Sequence, residues 1–128
     1  MKKILIDTNI LISYSKGFKR EFKQLLIDQE NNKSELYINP IIISEFLNDK
    51  KLKNKTNLIK ANELLSLFSL ANINKETGIL AGLLLREDKI VFIADAFIAA
   101  TCIQFNLALY TDNKKHFRNI KNLNLFTS

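Results

Sequence analysis

The chain has 128 residues, 47% hydrophobic and 25% charged, a composition typical of one globular domain. Its single cysteine, Cys102, excludes an internal disulfide, and its single histidine, His116, excludes a zinc site built from His and Cys. Every apolar run is shorter than the ~20 residues that cross a bilayer, so we expect no membrane segment. Asp7 and Asn9 interrupt the apolar N-terminal stretch, which argues against a secretory signal and favours a cytoplasmic protein.

The formal net charge is +6, from 19 Lys and Arg against 13 Asp and Glu. A basic surface attracts polyanions, of which nucleic acid backbones are the most common. A general bias of the composition toward lysine explains the same excess, so charge alone leaves a nucleic-acid partner open. A cluster of four lysines fits either a solvated face or an RNA contact: Lys50, Lys51, Lys53 and Lys55.

Hydrophobic periodicity predicts strands alternating with helices. In chain order these are a strand at 2–7, helices at 8–15 and 18–30, a strand at 35–39, helices at 40–49, 57–71, 75–88 and 93–106, a central strand at 107–111 and a short edge strand at 123–127. This alternation favours an α/β fold, with a central, mostly parallel sheet flanked by helices on both faces. We expect a single domain spanning residues 1–128.

Four acidic residues are predicted at one edge of this sheet, where the carboxyl ends of parallel strands gather ligand sites. They are Asp7, Glu45, Asp95 and Asp112. Each has a simple structural alternative when taken alone. Asp7 fits a helix N-cap, Glu45 fits a solvent-facing position, Asp95 fits the positive end of a helix dipole, and Asp112 fits a turn.

Taken together, these carboxylates would repel one another, and no arginine lies near them in sequence to compensate. A divalent cation relieves that repulsion, and carboxylate oxygens suit Mg²⁺ or Mn²⁺. Such a cation activates water and neutralises charge that develops on a phosphodiester. A basic protein with an acidic metal pocket therefore has the charge distribution of a nuclease. Cys102 is expected in the core, and His116 at the surface or at a helix cap.

Three segments resemble the motifs of PIN-domain ribonucleases, in the same order along the chain. They are ILIDTNILI at 4–12, IIISEFL at 41–47 and IADAFIAATCIQFNLALYTDNKKHF at 93–117. The last segment is the most specific of the three. Size and motif order are most similar to the VapC-like toxins of bacterial type II toxin–antitoxin systems. The resemblance implies a PIN-like fold and a metal-dependent endoribonuclease.

The resemblance also implies roles for individual residues. Asp7, Glu45 and Asp95 match the metal-binding acids, while Asn9 and Thr111 match polar residues that support the site. The fourth position of the family pattern falls on Asn113, and Asp112 is an extra acid one residue earlier. Neighbouring residues of an extended chain point in opposite directions. We therefore expect Asn113 near the metal, with Asp112 supporting it or replacing it as a ligand and catalytic acid.

The family further implies an RNA substrate, a homodimer and a cognate antitoxin protein. The apolar helices at 40–47 and 57–68 could form an antitoxin groove, but plain core is the favoured interpretation. Two alternatives remain open: a housekeeping RNA-processing nuclease without an antitoxin, and a catalytically silent RNA-binding or scaffold domain. Retention of all three core acids argues against the silent domain.

Overall fold

Four short parallel strands form the central sheet of the computed structural model, which describes residues 1–127; Ser128, the predicted end of the domain, lies outside this range. The strands are β1 (Lys2–Ile6), β2 (Ser34–Ile38), β3 (Ser69–Leu70) and β4 (Ala108–Tyr110). Their order in the sheet is β3-β2-β1-β4, and Ile4 of β1 pairs with Leu36 on one side and Ala108 on the other. All pairings are parallel, so all four strands end at the same edge.

Within residues 1–127, seven α-helices and one 3₁₀-helix connect and cover these strands. They are α1 (Thr8–Ser15), α2 (Arg20–Glu30), α3 (Pro40–Leu47), the 3₁₀-helix (Lys50–Lys53), α4 (Lys55–Leu65), α5 (Lys75–Arg86), α6 (Ile93–Phe105) and α7 (Lys114–Phe117). Ile4, Leu5 and Ile6 are consecutive in β1 and fully buried. Successive side chains of a strand point to opposite faces, so both faces of the sheet are covered. The predicted α/β architecture is confirmed.

Local sequence signals explain where the helices begin. Asn39 caps α3 by accepting a hydrogen bond from the Ile42 N–H at 2.9 Å, and Pro40 follows at the first helical position, where its fixed φ fits. Asn74 and Thr77 form a reciprocal capping box at the start of α5. Among residues 1–127, no helix is both long and apolar enough to cross a membrane.

Two predicted elements near the sheet edges differ from the structure. The helix predicted at 57–71 ends at Leu65, and the short strand β3 follows at Ser69–Leu70, because a short apolar run has no periodicity that separates helix from strand. The strand predicted at 107–111 is observed at Ala108–Tyr110, the last of the four strands. Within residues 1–127, the edge strand predicted at 123–127 is reduced to a parallel bridge between Leu125 and Leu109, on the side of β4 away from β1.

Candidate active site at the carboxyl edge of the sheet

Asp7 lies at the centre of the carboxyl edge, directly after the buried strand β1. Its side chain caps α1 by accepting the Thr8 N–H at 2.7 Å, and its own N–H donates to the carbonyl oxygen of Tyr110 at 2.9 Å. The Thr111 hydroxyl donates to Asp7 Oδ2 at 2.7 Å. Only 4% of Asp7 is exposed, so the carboxylate is held inside the protein rather than in solvent.

Asn9 and Thr111 connect the ends of β1 and β4 around Asp7. The Asn9 amide donates to Asp7 Oδ2 at 3.3 Å and to the Thr111 hydroxyl at 3.4 Å. The side-chain oxygen Oδ1 of Asn9 accepts the Asp112 N–H at 3.0 Å, and the Asn113 N–H donates to the Thr111 hydroxyl at 3.0 Å. The two residues predicted to support the site therefore do contact Asp7 and restrict its orientation.

Glu45 reaches the same edge from α3. The side chain is exposed at the surface, and the Thr8 hydroxyl donates to Glu45 Oε1 at 2.8 Å. The start of α3 is held against α6, because the buried Asn39 amide donates a hydrogen bond to the Thr101 hydroxyl of α6 at 3.0 Å. Asn39 thus couples the start of α3 to α6, the helix that carries Asp95.

Asp95 lies in the first turn of α6, and 15% of its side chain is exposed. Nδ1 of His116, from α7, lies 2.8 Å from Asp95 Oδ2. Helix α6 begins without a side-chain cap, so a carboxylate in its first turn also offsets the unpaired N–H groups there.

Within residues 1–127, no lysine or arginine pairs with Asp7, Glu45 or Asp95. Burial raises the pKa of the Asp7 carboxyl, and the charges of Asp95 and Glu45 raise it further, while hydrogen bonds from Thr111 and Thr8 oppose the shift. Among residues 1–127, Lys19 forms ion pairs with Glu21 and with Asp112, and the His116 ring contacts Asp95. Asp7 and Glu45 therefore have no cationic partner within the described chain.

The donor set fits a hard divalent cation. Within residues 1–127, no three His, Cys, Asp or Glu side chains are close enough to form a metal-binding cluster by themselves. Asp7 is nevertheless near enough to Asp95 and Glu45 for their charges to shift its pKa. Mg²⁺ keeps several of its waters and takes only one or two carboxylates together with substrate phosphates, so a loose set of oxygen ligands suits it.

Asp112 and Asn113 occupy the fourth predicted position, after β4. The Asp112 carboxylate pairs with the Lys19 ammonium at 2.6 Å, and 42% of its side chain is exposed. Asp112 is not among the charges that act on Asp7. Asn113 is also exposed, and its N–H binds the Thr111 hydroxyl. The charges of Glu45 and Asp95 thus act on Asp7, whereas the Asp112 carboxylate is directed toward Lys19, just before α2.

Three contacts of the site were not predicted. Thr8 holds Glu45, Asn39 couples α3 to α6, and His116 holds Asp95. Asn39 directly follows β2, and Thr8 follows β1 after one intervening residue, so both lie at the ligand-binding edge. That position was an available signal for both. His116 gave no such signal, because it lies 21 residues from its partner.

Fold and site together define an α/β protein with an acidic centre at the carboxyl edge of a parallel sheet. The sequence profile of the PIN domain matches residues 4–123. The chain belongs to the PIN domain family, as predicted.

The chain is similar to ribonuclease VapC1 of Methanocaldococcus jannaschii, with 29% identity over 127 residues that cover 96% of this chain and 85% of the relative. It also resembles a toxin–antitoxin complex from Klebsiella pneumoniae, with 31% identity, a TM-score of 0.74 and 94% coverage of each chain. The DNA-bound VapBC of Salmonella typhimurium shares the fold, with a TM-score of 0.81, 22% identity and 98% coverage of each chain.

Proposed function

We propose that this protein is a metal-dependent endoribonuclease, the toxin of a type II toxin–antitoxin pair, acting in the cytoplasm. One observation carries the proposal: Asp7 is buried, Asp95 and Glu45 raise its pKa, and no basic side chain among residues 1–127 pairs with it or with Glu45. Family membership and the similarity to ribonuclease VapC1 support the same reaction.

The residues that would hold Mg²⁺ or Mn²⁺ are Asp7, Glu45 and Asp95, with Asn113 or Asp112 at the fourth position. When bound, the cation supplies a hydroxide from water at neutral pH and neutralises charge on the phosphodiester in the transition state. Because burial and the charges of Asp95 and Glu45 raise the pKa of the Asp7 carboxyl, a bound cation would favour its ionised form, which can accept a hydrogen bond from water.

The remaining side chains of the site orient these acids. Thr111 and Asn9 hold Oδ2 of Asp7, while Oδ1 is held by the Thr8 N–H. The Thr8 hydroxyl restrains Glu45, and the His116 imidazole restrains Asp95. Groups that orient metal ligands in this way typically change metal affinity or activity by 10- to 100-fold when they are removed.

An antitoxin surface is part of the proposal. Helix α4 buries only Ala61 and leaves Leu58 at 38% and Ile59 at 51% exposure, which is the pattern of a helix that accepts an apolar partner. Helix α3 buries Ile42 and Phe46 and therefore contributes mainly to the core. We also propose that the protein acts as a homodimer.

A cleavage assay tests the nuclease. The intact protein is incubated with RNA in Mg²⁺, in Mn²⁺ and in excess chelator, beside Asp95→Asn and the control Glu63→Gln, an exposed acid of α4. We expect cleavage in either metal by the wild type and by the control, and only background with chelator or with Asp95→Asn. Undiminished cleavage in chelator or by Asp95→Asn would refute the mechanism.

Expression in bacteria separates the toxin from a housekeeping nuclease of the same fold. We expect the wild type to arrest growth when it is produced alone, and Asp95→Asn to be harmless at the same protein level. Normal growth with the active wild type would favour the housekeeping enzyme. A pure RNA-binding domain would bind RNA and cleave none.

A further inference from the structure

A cleft of about 220 Å³ opens beside Asp95, between the loop that leads into α6 and the short helix α7. It lies outside the set of acids described above and plays no part in holding them, apart from the shared His116. The side chains that give the cleft its character are Lys89, Val91, Phe92, Lys115, His116 and Arg118.

The cleft is positively charged. Lys89, Lys115 and Arg118 face it, against a single acid, Asp88. Among residues 1–127, none of these three cations belongs to an ion pair. A positive cleft therefore lies directly beside a negative centre. Its cations attract a phosphate backbone that the acids alone would repel, so they can hold a polyanion next to the acidic centre.

The cleft also presents an aromatic ring to solvent. Phe92 is 56% exposed, and its ring centroid lies 5.3 Å from that of His116 at an interplanar angle of 43°. Val91 beside it is 83% exposed. Exposed aromatic rings among cations are the usual platform for unstacked bases of single-stranded RNA, because every base has a face that can stack.

His116 connects this cleft to the acidic centre. Its ring lines the cleft, and its Nδ1 lies 2.8 Å from Asp95. A ligand against His116 is therefore separated from Asp95 by one side chain. The volume of about 220 Å³ is below the roughly 300–1,000 Å³ typical of pockets that enclose a whole small molecule, which suits one unit of a longer chain.

We propose that this cleft is the subsite for a nucleotide adjacent to the scissile phosphodiester of single-stranded RNA. Phe92 stacks on the base, and Lys115 and Arg118 bind a phosphate. The proposal rests on the ribonuclease function and specifies which part of the surface binds its substrate.

Binding without cleavage tests the subsite separately from the nuclease. A fluorescein-labelled ten-nucleotide single-stranded RNA of mixed sequence is titrated with the full chain in excess chelator, at several salt concentrations, with fluorescence anisotropy as the readout. The test variants are Phe92→Ala and the double variant Lys115→Ala/Arg118→Ala. All three side chains are exposed, so the core stays intact, which thermal unfolding by circular dichroism verifies.

Each test variant has a matched control. Phe105→Ala removes the same ring from the other end of α6, where Phe105 is 41% exposed, about 20 Å away along the 13-residue helix. Lys23→Ala/Lys33→Ala removes the same charge from exposed positions in α2 and the turn after it.

We expect Phe92→Ala to raise the Kd about tenfold and the double variant Lys115→Ala/Arg118→Ala to raise it about tenfold as well. Loss of the contact with one phosphate should also reduce the slope of log K against log salt by about 0.7. The controls should change the Kd less than threefold. Test variants that match their controls would overturn the subsite, even if the wild type cleaves RNA normally.

The two proposals fail differently. Weakened binding by the test variants, with no cleavage in Mg²⁺ or Mn²⁺ by any form, would support the subsite and refute the nuclease. Size-exclusion chromatography with light scattering covers the remaining alternative, that a second copy of the chain occupies the cleft. A change of mass in Phe92→Ala, with RNA binding equal to that of the wild type, would overturn the subsite in favour of a subunit contact.

Discussion

Asp7 and Asp112 both lie at the carboxyl edge of the sheet, but their surroundings are opposite. Asp7 directly follows β1, whereas Thr111 holds the corresponding place after β4 and Asp112 comes one residue later. Asp7 is 4% exposed and accepts hydrogen bonds only from neutral donors. The side chain of Asp112 is 42% exposed and pairs with Lys19.

The difference comes from how closely each acid follows its strand. β1 has a strand on each side and helices on both faces, so the residue directly after it is enclosed. The residue directly after β4 is Thr111, which is 2% exposed, and the chain reaches the surface at Asp112. Burial therefore raises the pKa of the Asp7 carboxyl, whereas the Asp112 carboxylate pairs with Lys19 at the surface.

The strongest test of this contrast exchanges each acid for its amide. We expect Asp7→Asn to reduce RNA cleavage at least about 100-fold, since it removes a charge that holds the cation and orients water. We expect Asp112→Asn to change the cleavage rate less than about threefold, because the Asp112 carboxylate pairs with Lys19. Initial rates on one labelled RNA give the comparison, and equal losses in the two variants would contradict it.

Asn113→Ala sharpens the fourth position. If the amide of Asn113 supplies the oxygen at that position, its removal should reduce cleavage about 10-fold or more, by the same argument as for other groups around a metal. Activity that falls in Asp112→Asn and not in Asn113→Ala would instead assign the position to the aspartate. Both rates come from the same labelled-RNA assay.

The hydroxyl of Thr111 links the two regions. Thr111→Val keeps the shape of the side chain and removes the donor that binds Asp7 at 2.7 Å. We expect about a 10-fold loss of activity, and a loss of about 1–3 kcal/mol in the free energy of unfolding because a buried carboxylate loses a partner. Urea denaturation measures the second effect. Thr56→Val, an exposed threonine of α4, is the control and should leave both quantities unchanged.

The raised pKa of Asp7 makes a prediction about stability and pH. The folded state binds this proton more tightly than the unfolded state, so stability falls as pH rises from the ordinary carboxyl pKa through the raised one. Asp7→Asn removes that loss. In chelator, we therefore expect the free energy of unfolding of Asp7→Asn, relative to the wild type, to increase between pH 4 and pH 7. A constant difference across this range would contradict the assignment.

The smallest effect is expected at the surface pair. Lys19→Met removes the partner of Asp112, and an exposed ion pair contributes about 0–1 kcal/mol. We expect the free energy of unfolding of Lys19→Met to be lower than that of the wild type by less than about 1 kcal/mol. This difference between the two proteins should become smaller at high salt, because salt screens the ion pair. A loss of several kcal/mol would show that Asp112 contributes to the stability of the fold and is not simply a surface residue.

Much of this contrast was accessible from the sequence. The apolar run before Asp7 predicted a buried strand, helix α1 was predicted with its observed bounds, and the order of elements predicted the edge at which the acids meet. The strand order β3-β2-β1-β4 was not predicted, because strand order depends on long-range pairing and is not encoded in local periodicity. The same holds for β3, whose two residues lie within an apolar stretch that reads as helix.

Contacts across the site were accessible only in part. The roles of Asn9 and Thr111 followed from the family motifs, and both contact Asp7. Lys19 and His116 were missed as partners of Asp112 and Asp95, because a side chain of variable geometry can meet an acid 93 or 21 residues away without any sequence pattern.

Calorimetric titration with Mn²⁺ tests the central claim most directly, that the buried acid after β1 is a cation ligand. The wild type, Asp7→Asn and Asp112→Asn are titrated under identical conditions, without RNA. We predict one binding event for the wild type and for Asp112→Asn, and none for Asp7→Asn. Binding to Asp7→Asn with the affinity of the wild type would contradict the account.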